Sequence, residues 1–262
     1  CRKELGLPLR SDVFAQPWVI KEAPAADYIT LKFKINSEIC VKGANLAVED
    51  AEKLLITFNG ESVSNETNGW YVDKSIKTVA LPEIQKGENE LILKLPFGKR
   101  TSTEWCYILG DFGVRTEGAF STITAPVEKF GFSSLTHQGL PFYGGNVIYK
   151  TEINTPDCYA VICANYYRGA LIKVIVDGEE KGVIAFSPYR LRIDNLTEGK
   201  HTIEFVLYGT RINTFGGMHN VTRPQWTGPN FWRSEGNQWC YEYLLKDTGI
   251  LASPIIEIYE NK

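Results

Sequence analysis

Histidine is scarce in this chain, with 3 among 262 residues, and its 6 cysteines form no Cys-x-x-Cys pair. A His/Cys cluster with zinc-ligand spacing is therefore missing, and structural zinc chemistry is not expected. No apolar run approaches the roughly 20 residues that cross a bilayer as a helix, so a membrane span is not expected. The formal net charge of −3 leaves no basic footprint, which argues against nucleic acid as a partner. There is no Gly-x-Ser-x-Gly, no phosphate-binding loop and no His-Glu-x-x-His, which removes the commonest hydrolase, nucleotide and metalloprotease signatures. Strands do not alternate with helical stripes, so a (β/α) barrel is excluded as well.

What remains is ordinary globular material rich in rings. The apolar fraction is 44% and the aromatic fraction 12%, with 6 Trp and 13 Tyr concentrated toward the C-terminus. A chain of this length suits two domains of roughly 100–150 residues, or one large β-domain. The cysteines are Cys1, Cys40, Cys106, Cys158, Cys163 and Cys240. Cys158 and Cys163 are an odd number of positions apart in a strand-like run, which puts them on opposite faces and disfavours a disulfide between them. Free buried thiols in a reducing compartment are expected. No stretch reads as a signal peptide. The chain starts with Cys rather than Met, from which an excised piece of a longer polypeptide is expected ahead of a lipidated N-terminus.

The run TIEFVLYGTRINTFGGMHN (202–220) organises the rest. Its first half alternates, with Ile203, Phe205 and Leu207 against Thr202, Glu204 and Val206, as a half-buried strand does. Its second half places Arg211 and Asn213 in a glycine-rich corner, where a special backbone geometry or contact is expected. Residues 1–27 hold Pro8, Pro17 and Pro24 and read as an extended lead-in. Strand signals then begin at YITLKFKI, with Ile29, Leu31, Phe33 and Ile35 on one face. They continue through ANLAVED, LLITFNGESV, 74–81, 90–95, CYILGDFGV and AFSTITA. Ala125-Pro126 reads as a boundary, giving one domain over 28–125 and a second over 126–262. The second contains strand runs in GLPFYGGNVIYKTEI, CYAVICANYY, LIKVIVDGEEKGVIAFSP, YRLRI, HTIEFVLYG and ILASPIIEIYE. Asn59-Gly60 and Asp177-Gly178 are hairpin turns by composition. Many short strands with regular turn signals indicate an all-β sandwich or barrel.

The two halves echo each other. ITFNGESV followed by LPEIQKGENELILKL matches VIVDGEEKG followed by IDNLTEGKHTIEFVL: strand, Asn/Asp-Gly turn, polar span, second Gly turn, strand. Two copies of one sandwich design are expected. Residues 216–238 lack strand signals and hold Arg223, Trp226, Trp232 and Arg233 together with Pro224 and Pro229. So long and aromatic a loop is either functional or packed on a neighbour.

VIVDGEEKGVIAFSPYRLRI (174–193), GKHTIEFVLYGTRINTFG (199–216) and DTGILASPIIEI (247–258) carry a family pattern. With them the chain resembles the non-catalytic galactose-binding-like jelly-roll β-sandwiches of large bacterial glycoside hydrolases, as in the family 2 sugar-binding domains and the trailing domains of family 35 β-galactosidases. LPFYGGNVIY, YILGDFGV and GWYVDKSIKTVALPEI are similar to C-terminal regions of family 2-like or rhamnosidase-like proteins of gut bacteria. The match is good over 140–260 and looser over 28–115. Thr210 stands where a Gly often precedes the Arg, and Asn220 to Trp239 is a long insertion, through which no ligand site carries over.

The resemblance implies two tandem jelly-roll sandwiches in a bacterial glycoside hydrolase. Their partners would be a carbohydrate and the catalytic domain of the same polypeptide, and the free-cysteine reading favours the cytoplasm over secretion. Sugars offer apolar C–H faces to rings and hydroxyls to polar rims. The candidate carbohydrate-binding residues are Tyr143, Arg211, Asn213, His219, Arg223, Trp226, Trp232 and Trp239, with Phe231, Tyr241 and Tyr243 beside them. Arg211 and Asn213, two apart, are expected on one face of a strand end. The alternative is structural: Arg211 ties its own loop, Asn213 caps a turn, and the tryptophans staple the long loop down.

Glycoside hydrolysis needs two carboxylates at a set separation. Glu104, Asp111, Glu117, Glu235 and Glu242 are available, but none sits in a context that marks a pair, so no catalytic residue is assigned. His137 is isolated, His201 reads as a surface residue at a turn-to-strand position, and His219 with Arg211 is a possible pocket lining. No cofactor is expected. A structural calcium would need hard oxygen ligands, and Asn65, Asn68 and Asp73 lie close in sequence without convincing spacing. Three functions remain open: a glycan-holding accessory region, a purely structural domain pair, and hydrolase activity in the chain itself.

Overall fold

The computed structural model describes residues 3–6, 24–25, 27–99, 101, 106–221 and 236–260. These form two compact units. The first comprises described residues up to Pro126 together with those of His219–Tyr243, and the second comprises Val127–Met218 with those from Leu244 onward. Both are all-β, with one short α-helix, α1 (Ile212–Phe215), and three single 3-10 turns among the described residues.

The first unit holds β1 (Asp27–Ser37), β2 (Asn45–Glu49), β3 (Leu55–Phe58), β4 (Glu61–Val63), β5 (Thr67–Tyr71), β6 (Asp73–Ala80), β7 (Gly87–Phe97), β8 (Tyr107–Leu109), β9 (Gly113–Glu117) and β10 (Phe120–Thr124). One sheet runs β4-β3-β7-β1-β10-β9 and the other β5-β6-β2-β8. Alternation explains the core between them. Ile56 and Phe58 of β3 and Leu91 and Leu93 of β7 point inward to meet Leu46 and Val48 of β2 and Val79 of β6.

The second unit holds β11 (Val147–Thr155), β12 (Cys158–Cys163), β13 (Tyr167–Arg168), β14 (Ile172–Val176), β15 (Glu179–Ile184), β16 (Arg190–Leu196), β17 (Gly199–Leu207), β18 (Gly249–Ile250) and β19 (Ile255–Glu260). Its sheets run β15-β14-β17-β11 and β16-β12-β19, with β13 and β18 as a separate ribbon. The core joins Ile172, Val174 and Val176 of β14 and Ile203, Phe205 and Leu207 of β17 to Cys158, Ala160 and Ile162 of β12 and Ile193 and Leu196 of β16.

The two strand orders coincide. β4-β3-β7-β1 has the chain order of β15-β14-β17-β11, and β6-β2-β8 that of β16-β12-β19. The echo between the halves is thus an equivalence of topology. Asn59-Gly60 and Asp177-Gly178 both make two-residue hairpin turns, with φ of 50° and 85° in one and 51° and 82° in the other. Positive φ at both central residues is what a type I′ turn demands, and Asn, Asp and Gly reach it at least cost.

Three details differ from the sequence reading. CYILGDFGV is two strands, β8 and β9, in different sheets, because the chain turns at Gly110–Phe112. β5 is a strand in its own right. Phe33 is exposed on β1, whose pairing with β10 among the described residues is confined to Asn36 and Ser37. The five described cysteines are free. Cys158 is buried in the core and Cys163 lies on the other face of β12, while Cys40 is exposed.

Candidate functional site

The corner after β17 is where the sequence placed its sharpest polar pair. The chain turns helical there, as α1, and residues two apart on a helix lie about 200° apart around its axis. Arg211 and Asn213 are consequently not on one face of a strand end, as their spacing suggested. Arg211 is exposed, while Asn213 is 2% exposed. The Asn213 amide is engaged internally: Nδ2 donates to the Lys246 carbonyl at 2.7 Å and Oδ1 accepts from the Lys246 N–H at 2.9 Å. Asn213 thus splices two distant backbone segments from a buried position.

The corner closes on the loop before β11. Thr214 Oγ1 donates to the Phe142 carbonyl at 2.9 Å. Gly209 is required there, because a Cβ would fall on the Gly145 carbonyl oxygen. Tyr143 is 45% exposed and its hydroxyl donates to the Asn146 carbonyl at 3.1 Å. The Arg211 stem lies close to Gly144, and among the described residues its guanidinium forms no ion pair. An exposed ring beside an exposed five-donor cation is chemically fit to contact a hydroxylated ligand.

The first unit carries the ring-rich segment. Asn220 bridges Trp239, the Val221 N–H donates to the Gln238 carbonyl, and the Cys240 N–H donates to the His219 carbonyl, each bond at 3.0 Å. The result is a two-residue antiparallel ribbon that brings four rings together. His219 lies 5.5 Å from Trp239 and 4.8 Å from Tyr243, and Trp239 meets Tyr241 edge-on at 4.6 Å. His219 Nδ1 is 3.0 Å from the Glu242 carbonyl, which can only accept, so this nitrogen carries hydrogen. The Tyr243 N–H donates to the Gly118 carbonyl at 2.9 Å, which anchors the ribbon to its unit. His219, Trp239 and Tyr243 are half-buried, and Tyr241 is 75% exposed. Seated rings with one open ring form a platform for the apolar face of a ligand. Arg223, Trp226, Phe231 and Trp232 lie outside the described residues. His219 and Arg211 belong to different units.

Asp111, Glu117 and Glu242 are exposed; Glu104 and Glu235 lie outside the described residues. Glu117 sits 3.3 Å from Arg115 Nε in an exposed ion pair. Among the described residues, no group of three or more His, Cys, Asp and Glu side chains is gathered to hold a metal. Asn65 donates to the Glu52 and Leu54 carbonyls, Asn68 joins Asn45 and Thr78, and Asp73 accepts from the Ser75 N–H and hydroxyl. These three side chains are turn and strand fasteners. Burial pushes the Cys106 thiol up to about 11, and the Cys240 thiol is also raised by desolvation, so neither is a ready thiolate nucleophile.

His137 is exposed. His201, read from the sequence as a surface residue, is 7% exposed and bonded at both ring nitrogens. Its partner Asp177 is 24 positions away, across the β14–β17 pairing, where the local sequence gives no sign of it.

No protein-family model and no curated protein matches the sequence. Among solved structures, the chain is similar to a rhamnosidase from Novosphingobium sp. PP1Y, at 15% identity and a TM-score of 0.33. The likeness covers 87% of this chain and 22% of that one, so the chain spans about a fifth of that enzyme's length. No residue role is taken from it.

Proposed function

We propose that this chain is a non-catalytic, carbohydrate-associated β-sandwich region of a glycoside hydrolase, holding glycan and packing on a catalytic domain of the same polypeptide. The observation that carries this reading is the ring platform of His219, Trp239, Tyr241 and Tyr243 on the first unit, with Tyr241 open to solvent. Rings in this arrangement suit the C–H face of a pyranose, while backbone and side-chain polar groups at the rim take its hydroxyls. Tyr143 and Arg211 on the second unit make a smaller, more polar contact of the same kind. The accessory reading is supported by the candidate carboxylates Asp111, Glu117 and Glu242, which are exposed and in no context that marks an acid–nucleophile pair.

Isothermal titration with neutral mono- and oligosaccharides tests the reading. Wild-type protein is expected to bind at least one of them, with Trp239→Ala weakening binding about fivefold or more, since a buried ring contact is worth on the order of 1 kcal/mol or above. Absence of binding across the sugar series would leave the structural reading, which rests on an exposed apolar residue. Phe186, in the loop between β15 and β16, is 85% exposed and fits a surface covered in a larger protein.

A further inference from the structure

The equivalence of the two units extends to one corner atom by atom, except that the chemistry changes. In the first unit, the Asn59 N–H donates to the Glu90 carbonyl at 2.9 Å, and the Glu90 N–H donates to Asn59 Oδ1 at 2.8 Å. In the second, the Asp177 N–H donates to the Thr202 carbonyl at 2.9 Å, and the Thr202 N–H donates to Asp177 Oδ1 at 2.8 Å. Both hairpin turns are thereby hung on the start of the central strand, β7 or β17.

The next residue inward completes the device. Asn89 is buried, accepts from Asn59 Nδ2 at 2.9 Å, and donates to the carbonyl of Gln85, four residues before it, at 2.7 Å. His201 is buried, with Nδ1 2.6 Å from Asp177 Oδ2 and Nε2 2.9 Å from the carbonyl of Thr197, four residues before it. An Asn–Asn pair in one unit is a His–Asp pair in the other. An amide carries both a donor and an acceptor without ionising. An imidazole facing a carboxylate and a carbonyl has acceptors on both sides. Only the imidazolium satisfies them both, since a neutral ring leaves one lone pair aimed at an oxygen.

We infer that the Asp177–His201 pair is a proton-operated latch that fastens the β14–β15 hairpin and the Thr197 loop onto β17, at the corner where the first unit carries a latch that does not respond to pH. The Thr197 carbonyl also accepts from the buried Thr155 hydroxyl at 3.1 Å, so one oxygen gathers β11, the loop and the ring. Loss of the proton leaves a lone pair of the buried ring aimed at an oxygen, although Asp177 and Thr197 themselves reach solvent, and the corner loosens.

Several other charges on these elements are paired: Lys181 with Glu179 at 2.6 Å on β15, Lys173 of β14 with Glu180 of β15 at 3.3 Å, Lys200 of β17 with Glu152 of β11 at 2.8 Å, and Lys150 of β11 with Glu204 of β17 at 2.9 Å. Lys181 also bears on Asp177 and helps to lower it. Asp157, between β11 and β12, accepts from the Glu198 N–H at 2.8 Å. Asp177 is therefore the carboxylate that faces the ring. Its hydrogen bond, followed by that to Thr197, holds His201 above the ordinary 6.5, and the bond from His201 holds Asp177 below 3.8. A raised histidine adds stability that is whole below pH 6.5 and is lost as pH climbs through its folded value. A lowered aspartate adds stability that is whole above 3.8 and is lost as pH falls through its own. The latch is fully closed between those limits.

Peptide-resolved hydrogen exchange on the full chain from pH 5 to pH 9, expressed as protection factors, reads both corners in one molecule. Above pH 6.5, protection over 176–180 and 199–203 is expected to fall by up to about tenfold per pH unit until the folded histidine has titrated. Protection over 58–62 and 87–91 is expected to stay level. The Asp177→Asn/His201→Asn variant, which installs the first unit's pair, is expected to flatten the second corner. Equal pH profiles at both corners in wild type would overturn the inference, as would a dependence that survives the double substitution. If that variant does not fold, the ¹⁵N spectrum of wild type decides. Both His201 ring nitrogens protonated at pH 6 support the latch, and a neutral tautomer at that pH contradicts it.

Discussion

The two units share a strand order and divide the chemistry. The first keeps a neutral Asn59–Asn89 corner and carries the ring ribbon, while the second has an ionisable Asp177–His201 corner and carries the Arg211 turn. Topology is dictated by apolar alternation and by two turns at positive φ, and both units satisfy those demands equally. Corner polarity is a separate choice. Once a buried residue must bond the turn and a carbonyl four residues back, either an amide or a protonated imidazole fits, and only the second makes folding depend on pH. The lesson is that shared fold does not carry shared response, and that a ring-bearing ribbon can be added to one copy without disturbing the common frame.

The most forceful way to break the comparison is through the cores. Phe205 of β17 and Leu93 of β7 are equivalent and both are fully buried. Phe205→Ala is expected to cost about 3–5 kcal/mol and Leu93→Ala about 2–5 kcal/mol, read by denaturant unfolding. A negligible loss at either position would show that the two central strands are not equivalent. Next in size is the corner after β17. Asn213→Ala removes two bonds to the Lys246 backbone, for about 0.5–1.5 kcal/mol each. Arg211→Ala is expected to stay within about 0.5 kcal/mol, since the side chain is exposed. If Arg211→Ala proved the costlier of the two in urea, the assignment of roles within this turn would be wrong.

A smaller effect lies on the acid side. As pH falls from 3.8 through the lower folded value of Asp177, its contribution is lost and the second corner is expected to lose protection before the first, by hydrogen exchange at pH 3 against pH 5. Smallest of all, Lys34 and Glu88 pair at 3.2 Å on the exposed surface of the first unit. Lys34→Ala is expected to shift the unfolding midpoint hardly at all, at under about 1 kcal/mol.

Much of this frame was legible in the residues. Alternation in 202–207 and the Asn59-Gly60 and Asp177-Gly178 turns specify strands and hairpins locally, and the structure has them. The Arg211–Asn213 pair was misplaced because a single helical turn leaves no periodic stripe to read. His201 was misjudged because its burial comes from partners on other strands, which no local pattern records. A signal did exist: aligning GENELILKL with GKHTIEFVL sets Asn89 against His201, and aligning the two turns sets Asn59 against Asp177. Two coupled polar exchanges at matched positions of a repeat point to a contact. The ring platform was half legible. Trp239 and His219 stood out by type, but the ribbon that joins them is held by backbone bonds across a long insertion.

The account's central claim, that the first unit bears the glycan contact, is tested most directly by amide shift mapping of the ¹⁵N-labelled chain during titration with neutral oligosaccharides. The account expects perturbations at 219–221, 236–243 and Gly118, including the Trp239 indole, with weaker ones at most near Tyr143 and Arg211. Perturbations confined to the second unit, or none at any sugar concentration, would contradict it.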